Sequence, residues 1–276
     1  MCGTDEMEQK TLEKLQMTEL EMLKELDRIC RENHIPYILD GGTMLGAVRH
    51  GGFIPWDDDV DVRMLRENYD RFCEVCKTEL DGRYFLQTYK TDPGYRWGYA
   101  RILKNGTVFK RKGQGKMRAR NGVFIDIFPD DVLPDTFWGR KRCTCISWLC
   151  RKLLYSEVGA LNKSRFTSWL GFNFLNMFPK EWGHRGFEYL TEKYRNTDSP
   201  YIRCLCWGAE FETEGFLKKW HMETAEYVFA GLKVPGPADV KGYLSHIFGD
   251  DYMMLPPKEK QRPGHTADYI DFGEDV

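Results

Sequence analysis

Four aspartates fall within five residues of the segment FIPWDDDVDVRM (53–64), at Asp57, Asp58, Asp59 and Asp61. Carboxylates this close repel one another, and a protein interior tolerates them only around a cation. In the DVDV pattern, Asp59 and Asp61 lie two apart on a predicted strand, so their side chains share one face. Asp57 joins that face if the strand extends back. We therefore expect Asp57, Asp59 and Asp61 to bind Mg²⁺ or Mn²⁺ through oxygen ligands.

A second acidic position lies in GVFIDIFPDDVLP (122–134), where Asp126 is flanked on both sides by apolar residues. Burying this carboxylate on an apolar strand is costly unless it reaches the same cation. Two carboxylates on one strand and a third on a neighbouring strand make a site for one or two metal ions bound to a phosphate. Asp126 is therefore a predicted metal ligand and, with Asp59 and Asp61, a predicted catalytic residue. Pro129 is expected to end its strand.

A glycine pair, Gly41-Gly42, follows a short predicted strand at 37–40 and precedes a predicted helix. Glycine lets the backbone approach a ligand closely, so we expect amide groups here and the Thr43 hydroxyl to bind a phosphate. Arg49 and Arg101 are further candidates for neutralising phosphate oxygens. A surface salt bridge is the alternative for each arginine.

Known glycine and calcium motifs do not fit these segments. A dinucleotide fingerprint needs glycine where Thr43 stands, and the G-K-S/T of a Walker loop is absent. An EF-hand loop starting at Asp57 needs glycine at position 62 and glutamate at position 68, where the chain has Val62 and Asn68. A solvated acidic turn remains as the bland interpretation, but it accounts neither for the alternating valines nor for Asp126.

Hydrophobic periodicity predicts an α+β fold. Helices are expected at 5–33, 43–48 and 66–80, and strands at 37–40, 59–64, 83–89, 97–103, 107–111 and 122–134. From 136 to about 232 the pattern is mainly helical, and a short helix follows in the proline-rich end. We therefore divide the chain into a catalytic half, 1–135, and a helical half, 136–276, in one compact unit.

Composition limits the classes of partner and compartment. A net charge of −2 over 276 residues gives no basic face for nucleic acid. The nine cysteines show no zinc spacing and no export signal precedes them, so we expect reduced thiols in a cytoplasmic protein. The segment 138–162 holds five basic residues and one acid, interleaved with Trp and Leu. It predicts either peripheral contact with the inner face of a membrane or a packed surface helix with a basic outer face.

The motifs, taken in order, resemble the nucleotidyltransferase (polymerase β-like) superfamily, and one branch in particular. DGGTMLGAVRHGGFIPWDDDVDVRM (40–64) is similar to the signature of the LicD family of phosphocholine transferases, which includes the fukutin group. GVFIDIFPDD and FGDDYMMLPPKEKQRPGH (248–265) resemble the family's later motifs. The resemblance covers 35–64, 95–131 and 248–265. It implies a nucleotidyltransferase-like mixed sheet flanked by helices in 1–135, with the helical half completing the active site.

The resemblance also implies an activity: transfer of a phospho-alcohol from a CDP-linked donor to a hydroxyl of a glycan or lipid-linked glycan, releasing CMP. The alcohol is choline in LicD proper and ribitol in the fukutin group, and acceptors of the lipopolysaccharide or teichoic acid type are implied. By motif, Asp59 and Asp61 would hold the metal, and Asp126 would complete the site and is a candidate acceptor for the hydroxyl proton. His265 would either contact a phosphate or have a structural role.

Three alternatives remain open at this stage. Choline would need an aromatic cage, for which Tyr95, Trp97 and Tyr99 are candidates, although alternating aromatics on a strand also suit sheet packing. A nucleotidyltransferase that releases pyrophosphate would use the same carboxylates. A non-catalytic nucleotide or glycan binding module would be expected to lack one of Asp59, Asp61 and Asp126, and the chain has all three.

Overall fold

The computed structural model of the protein describes residues 2–111, 117–161, 166–208, 215–264 and 267–273. The strands of its N-terminal half are β1 (Ile38–Leu39), β2 (Asp61–Leu65), β3 (Tyr84–Gln87), β4 (Ala100–Lys104), β5 (Val108–Arg111) and β6 (Phe124–Val132). A mixed sheet joins five of them in the order β1-β2-β6-β4-β3. β2 runs parallel to β6, whereas the other pairs in this order are antiparallel. Both acidic segments therefore lie at the middle of one sheet.

Strand β6 continues past Pro129, which the sequence analysis expected to end it. On one edge, β6 pairs with β2 from Asp126 to Asp130 without a break at Pro129. On the other edge, Phe124 to Ile127 pair with β4, and Asp131 and Val132 pair with a later strand. Amide groups alternate between the two edges, and the Asp126 N–H points toward β2, so an N–H at position 129 would face the gap. The missing donor of proline therefore breaks no ladder bond there, and the prediction that Pro129 ends the strand is wrong.

Three helices flank the sheet in the N-terminal half: α1 (Cys2–Glu32), α2 (Gly41–His50) and α3 (Arg66–Glu79). The apolar spacing that predicted α1 corresponds to its buried face, where Met22, Leu23 and Leu26 are fully buried. Val60 and Val62 are also fully buried, as the alternation around Asp61 predicted. The predicted α+β class is confirmed.

The C-terminal half begins with helices and continues with short strands. Its elements are α4 (Phe137–Leu161), α5 (Phe166–Asn176), α6 (Glu181–Tyr194), β7 (Tyr201–Arg203), β8 (Phe216–Leu217), α7 (Lys219–Met222), β9 (Thr224–Phe229), β10 (Leu232–Pro237), α8 (Val240–Phe248), a 3₁₀ turn (Lys258–Lys260) and β11 (Ala267–Asp271). The helical pattern predicted for 136–232 thus holds only to about 194. β7 pairs with the end of β6, and β11 pairs with β5, so the two halves share hydrogen-bonded strands. The division at 135 stays a prediction.

In the described part of the chain, the cysteines from Cys30 to Cys206 are free thiols. No helix among the described residues combines the length and apolar character needed to cross a bilayer.

Candidate active site

Three charged side chains form a row across the middle of the sheet. Asp61 on β2 is the direct neighbour of Asp126 on β6, and Asp126 is the direct neighbour of Arg101 on β4. Residues in register on adjacent strands project from the same face. The register therefore brings together two carboxylates that lie 65 positions apart in the chain, as the sequence predicted.

The remaining aspartates lie just before β2, in an irregular segment and not on the strand itself. Oxygen atoms of Asp57, Asp58 and Asp59 all lie within 4.8 Å of one another. β2 begins only at Asp61, so the predicted strand 59–64 is shifted to 61–65. The Val60 carbonyl still accepts a bond from the Asp126 N–H at 3.0 Å, which keeps the preceding segment beside β6. The cluster therefore lies next to the Asp61–Asp126 pair.

The glycine pair shapes the contact between α2 and this cluster. Gly41 has φ +46°, a left-handed conformation that favours glycine. A Cβ on Gly42 would lie only 2.8 Å from Asp57 Oδ2, closer than side chains pack. The N-terminus of α2, where amide groups have no partner within the helix, therefore meets the carboxylates directly. Binding of a phosphate by Gly41 and Gly42 stays a prediction.

Thr43 contributes to the site by positioning the strand. Its side chain is buried, and its hydroxyl oxygen accepts a hydrogen bond from the Asp61 N–H at 2.9 Å. This bond fixes the start of β2 against α2. The structure therefore gives Thr43 a positioning contact, and its predicted contact with a phosphate stays a prediction.

Glu19 is a further acidic group at the site that the sequence analysis missed. It lies on α1, is 1% exposed, and its Oε2 has no hydrogen-bond partner among the described residues. Burial raises its pKa well above the ordinary value, and Asp59 and Asp58 add to that rise. A signal was present in the sequence, because Glu19 falls four residues after Leu15 and four before Leu23, on the apolar stripe of the helix.

The electrostatics of the cluster favour a cation. Burial raises the pKa of Asp57 to about 6, with a further contribution from Asp58. Burial and the neighbouring carboxylates also raise the pKa of Asp59 and of Asp61 well above the ordinary value. Asp61 Oδ1 is buried and has no hydrogen-bond partner in the described part of the chain. Buried carboxylate oxygens that repel one another, one of them without a hydrogen bond, fit a hard divalent ion such as Mg²⁺.

Two arginines lie beside Asp126. Arg101 Nε donates to Asp126 Oδ1 at 2.6 Å, and Arg101 Nη2 donates to the other oxygen at 3.3 Å. Arg111, which the sequence analysis did not single out, ends β5 with its Nη2 3.8 Å from Asp126 Oδ2. Its Nε and Nη2 atoms are buried without a hydrogen-bond partner among the described residues. Arg101 therefore orients Asp126, whereas Arg111 has donor atoms to spare for an anion.

Arg49 connects α2 with the C-terminal motif. Its Nη1 donates to the backbone carbonyls of Tyr252 and Met254 at 3.0 and 3.1 Å. The same motif reaches the cluster directly, since the Gly264 N–H donates to Asp58 Oδ1 at 2.8 Å. His265, predicted as a phosphate contact, lies outside the described residues.

A buried ionic network holds Asp40, the residue that precedes the glycine pair. Arg63 pairs with Asp40 at 2.6 Å and with Asp130 at 2.7 Å. Tyr243 on α8 donates to Asp40 Oδ1 at 2.5 Å, and His221 Nε2 lies 2.8 Å from Asp130 Oδ2. Burial opposes ionisation of Asp130, but Arg63 and His221 outweigh it and hold its pKa below the ordinary value. The network thus ties α2, β2, β6 and α8 together behind the site.

A cavity of about 460 Å³ lies beside this centre, with Arg111 in its wall. Its aromatic lining comes from four parts of the chain: Trp97, Tyr99, Trp148, Tyr155, Phe187 and Trp207. Two of the three predicted cage residues, Trp97 and Tyr99, are among them. Tyr95 is buried behind the cavity wall, with its ring edge-on to Tyr99 at 6.2 Å between centroids.

Comparison with known proteins gives one family and a few relatives. A model of the LicD/FKTN/FKRP nucleotidyltransferase domain matches residues 34–147. The chain is 28% identical over 273 residues to the lipopolysaccharide cholinephosphotransferase LicD of Haemophilus influenzae, covering 95% of this chain and 98% of that protein. It is 53% identical over 34 residues to the ribitol 5-phosphate transferase FKRP of Mus musculus, a segment that covers 12% of this chain and 7% of FKRP. The resemblance that the motifs indicated is confirmed.

Proposed function

We propose that this chain, as a LicD-type protein, is a phosphotransferase that moves a phospho-alcohol from a CDP-linked donor to a hydroxyl of a glycan and releases CMP. The observation that carries the proposal is the in-register pair of Asp61 and Asp126 beside the aspartate cluster, facing the glycine start of α2. Such a centre suits phosphoryl transfer, in which positioning and charge neutralisation do most of the work. The names of the Haemophilus and FKRP relatives support the same reaction class.

Asp57, Asp59 and Asp61 would hold Mg²⁺ or Mn²⁺, with Asp126 completing the set and Glu19 close behind it. When bound, the ion supplies neutralisation of the donor diphosphate and stabilises the CMP leaving group. The amide groups of Gly41 and Gly42, at the N-terminus of α2, would donate to phosphate oxygens. The unused donors of Arg111 provide a further positive group at the edge of the centre.

In the reaction, the acceptor oxygen forms a new bond to the phosphorus that carries the alcohol. The bond from that phosphorus to the bridging oxygen breaks, and this oxygen leaves with CMP. The proton of the acceptor hydroxyl passes to a carboxylate, for which we propose Asp126. Arg101 holds that carboxylate in place through two hydrogen bonds, so a single orientation faces the acceptor.

The aromatic cavity favours choline as the alcohol. Aromatic faces attract a quaternary ammonium group, and six aromatic side chains line this cavity. Of its basic side chains, Arg151 donates to the Leu205 carbonyl, and Lys152 lies over the rings of Trp148 and Phe172. A polyol such as ribitol would instead be held by hydrogen bonds, for which the described lining offers Arg111 and tyrosine hydroxyls but no carboxylate or amide side chain.

The test is release of CMP from CDP-choline, CDP-ribitol and CDP-glycerol with Mg²⁺ or Mn²⁺, in the presence of a glycan acceptor extract. We expect metal-dependent release from CDP-choline, at least 100-fold slower in Asp61→Asn and unchanged in the exposed control Asp198→Asn. Preference for CDP-ribitol would keep the reaction class and overturn the choline assignment. Release of pyrophosphate from nucleoside triphosphates would identify a nucleotidyltransferase and overturn the proposal.

The cavity has its own test. Trp207→Ala removes one aromatic face without touching a carboxylate, so we expect a KM for CDP-choline raised about tenfold, by the magnitude of a cation–π contact. The kcat should change less than the KM. A loss of kcat at constant KM would contradict a role in binding choline.

A further inference from the structure

The outer side of α4 and α5 is both apolar and basic. We define the α4–α5 surface by its exposed side chains: Trp138, Lys141, Trp148, Leu149, Leu170 and Phe174. Trp138 is 79% exposed and Phe174 is 62% exposed. Side chains of this size rarely lie so open in a group on a soluble protein, and such a patch indicates an interaction site.

On α4, burial separates two faces. Cys143, Ser147, Cys150 and Leu154 recur at three- to four-residue spacing and are buried. The opposite face follows the same spacing through Trp138, Lys141, Cys145 and Trp148, which are all exposed. A helix that places tryptophan and lysine together on its exposed face is typical of a membrane interface.

α5 continues the patch with a helix that has no charged residue, FTSWLGFNFLN. Phe172 faces α4, since its ring lies close to Gly159 and 5.7 Å from Lys152 Nζ. Leu170 and Phe174 therefore point away from α4, and both are exposed. Beyond the helix, Met177 is 80% exposed. These exposed apolar side chains do not contribute to the hydrophobic core of the protein.

Charge decides between occupants of the surface. Residues 137–180 contain eight Lys or Arg and one acidic residue, Glu157, although the whole chain has a net charge of −2. Glu157 is already paired with Arg96 at 3.1 Å. A second copy of the chain would place two net-positive segments face to face, which is unfavourable. An anionic surface, in contrast, would be attracted.

We infer that the α4–α5 surface docks on an anionic lipid bilayer, with its aromatic rings at the level of the headgroups and Lys141, beside the exposed Arg142, against the lipid phosphates. Trp148 and Lys152 also line the cavity beside Asp126. Docking therefore turns the cavity toward the lipid, where an acceptor attached to lipid would reach it. This last consequence rests on the proposed function, whereas the docking does not.

The test is co-sedimentation of the full chain with vesicles of phosphatidylcholine alone or with 30% phosphatidylglycerol. We expect at least tenfold stronger binding to the anionic vesicles, weakened by high salt. The double variant Leu170→Glu/Phe174→Glu should lose this binding. The matched control Met222→Glu/Val228→Glu, which changes two equally exposed side chains outside the surface, should retain it.

CMP release on a soluble acceptor checks that the double variant is folded and separates docking from catalysis. Retained release with lost vesicle binding supports the inference, whatever alcohol is transferred. Equal binding to neutral and anionic vesicles, or no binding to either, would overturn it. A dimer of the wild type in light scattering that the double variant abolishes, without any vesicle binding, would assign the surface to a second copy instead.

Discussion

Replacing Asp57 with asparagine is expected to stabilise the protein when no divalent cation is present. The folded-state pKa of Asp57 is about 6, against an ordinary value of 3.8. A raised folded-state pKa means that protonation favours folding. The associated stability is fully present below pH 3.8 and is lost as the pH rises through 6. At pH 8 the ionised Asp57 therefore opposes folding.

The size of the effect follows from the shift. About two pKa units correspond to about 3 kcal/mol of unfolding free energy. Asparagine keeps the shape of the side chain and removes the charge, so Asp57→Asn should recover much of this at pH 8 and almost none at pH 4. For a chain of this size, 3 kcal/mol raises the melting temperature by about 6–12 °C.

The assay is thermal unfolding at pH 4, 6 and 8, with EDTA or with Mg²⁺. Wild type should gain stability from Mg²⁺ at pH 8, by about 3 kcal/mol at a concentration 100-fold above Kd. Asp57→Asn should gain less, because one ligand is weakened. Asp198→Asn, an exposed control, should match wild type throughout. Destabilisation of Asp57→Asn at pH 8 in EDTA would refute the repulsion argument and make Asp57 a structural hydrogen-bond acceptor.

Three further substitutions probe the frame of the site. Gly42→Ala brings a Cβ to 2.8 Å from Asp57 Oδ2 and should displace that carboxylate, so the rate of CMP release should fall about tenfold. The free energy of unfolding, measured in urea, should change by only about 1 kcal/mol. An unchanged rate of CMP release would contradict the tight contact. Arg63→Leu leaves Asp130 buried without its cation and should cost about 3–5 kcal/mol in urea unfolding. A cost below about 1 kcal/mol would show that the network is dispensable. Pro129→Ala should cost at most about 1 kcal/mol, and a larger loss would contradict the gap beside β6.

The residues of the carboxylate centre could be predicted because short patterns within each strand identify them. The alternating valines marked Asp61 as a polar position on a buried strand, and a lone acid in an apolar strand marked Asp126. The strand face that Asp59 was predicted to share with Asp61 is wrong, because β2 begins only at Asp61. Glu19 was missed because only the apolar residues on the buried face of α1 were considered, and Glu19 lies among them. Pro129 was misjudged because the rule for proline depends on which strand edge has a partner, and that is a tertiary property.

The cavity and the C-terminal strands were beyond local patterns. Trp97, Trp148 and Trp207 come from separate segments, and nothing in their spacing shows that they meet. β7 and β8 have three and two residues, too short for alternation to be read. β7 pairs with the end of β6, about 70 positions away in the chain, and β8 pairs with β7. Such elements are defined by the fold and not by their own sequence.

The gap beside Pro129 separates the aromatic cavity from the strands that carry Asp61 and Asp126. At this fork β4 leaves β6 and β7 joins it, and the rings of Tyr99, Phe128 and Trp207 fill the opening. The loops that meet there line the cavity, whereas the aspartates are held by the unbroken β2–β6 pairing on the other side. Under the function proposed above, the loops at the fork can change, and with them the alcohol that is bound, while Asp61 and Asp126 keep their places on β2 and β6. Relatives that handle choline and ribitol would differ at the fork before they differ at the carboxylates.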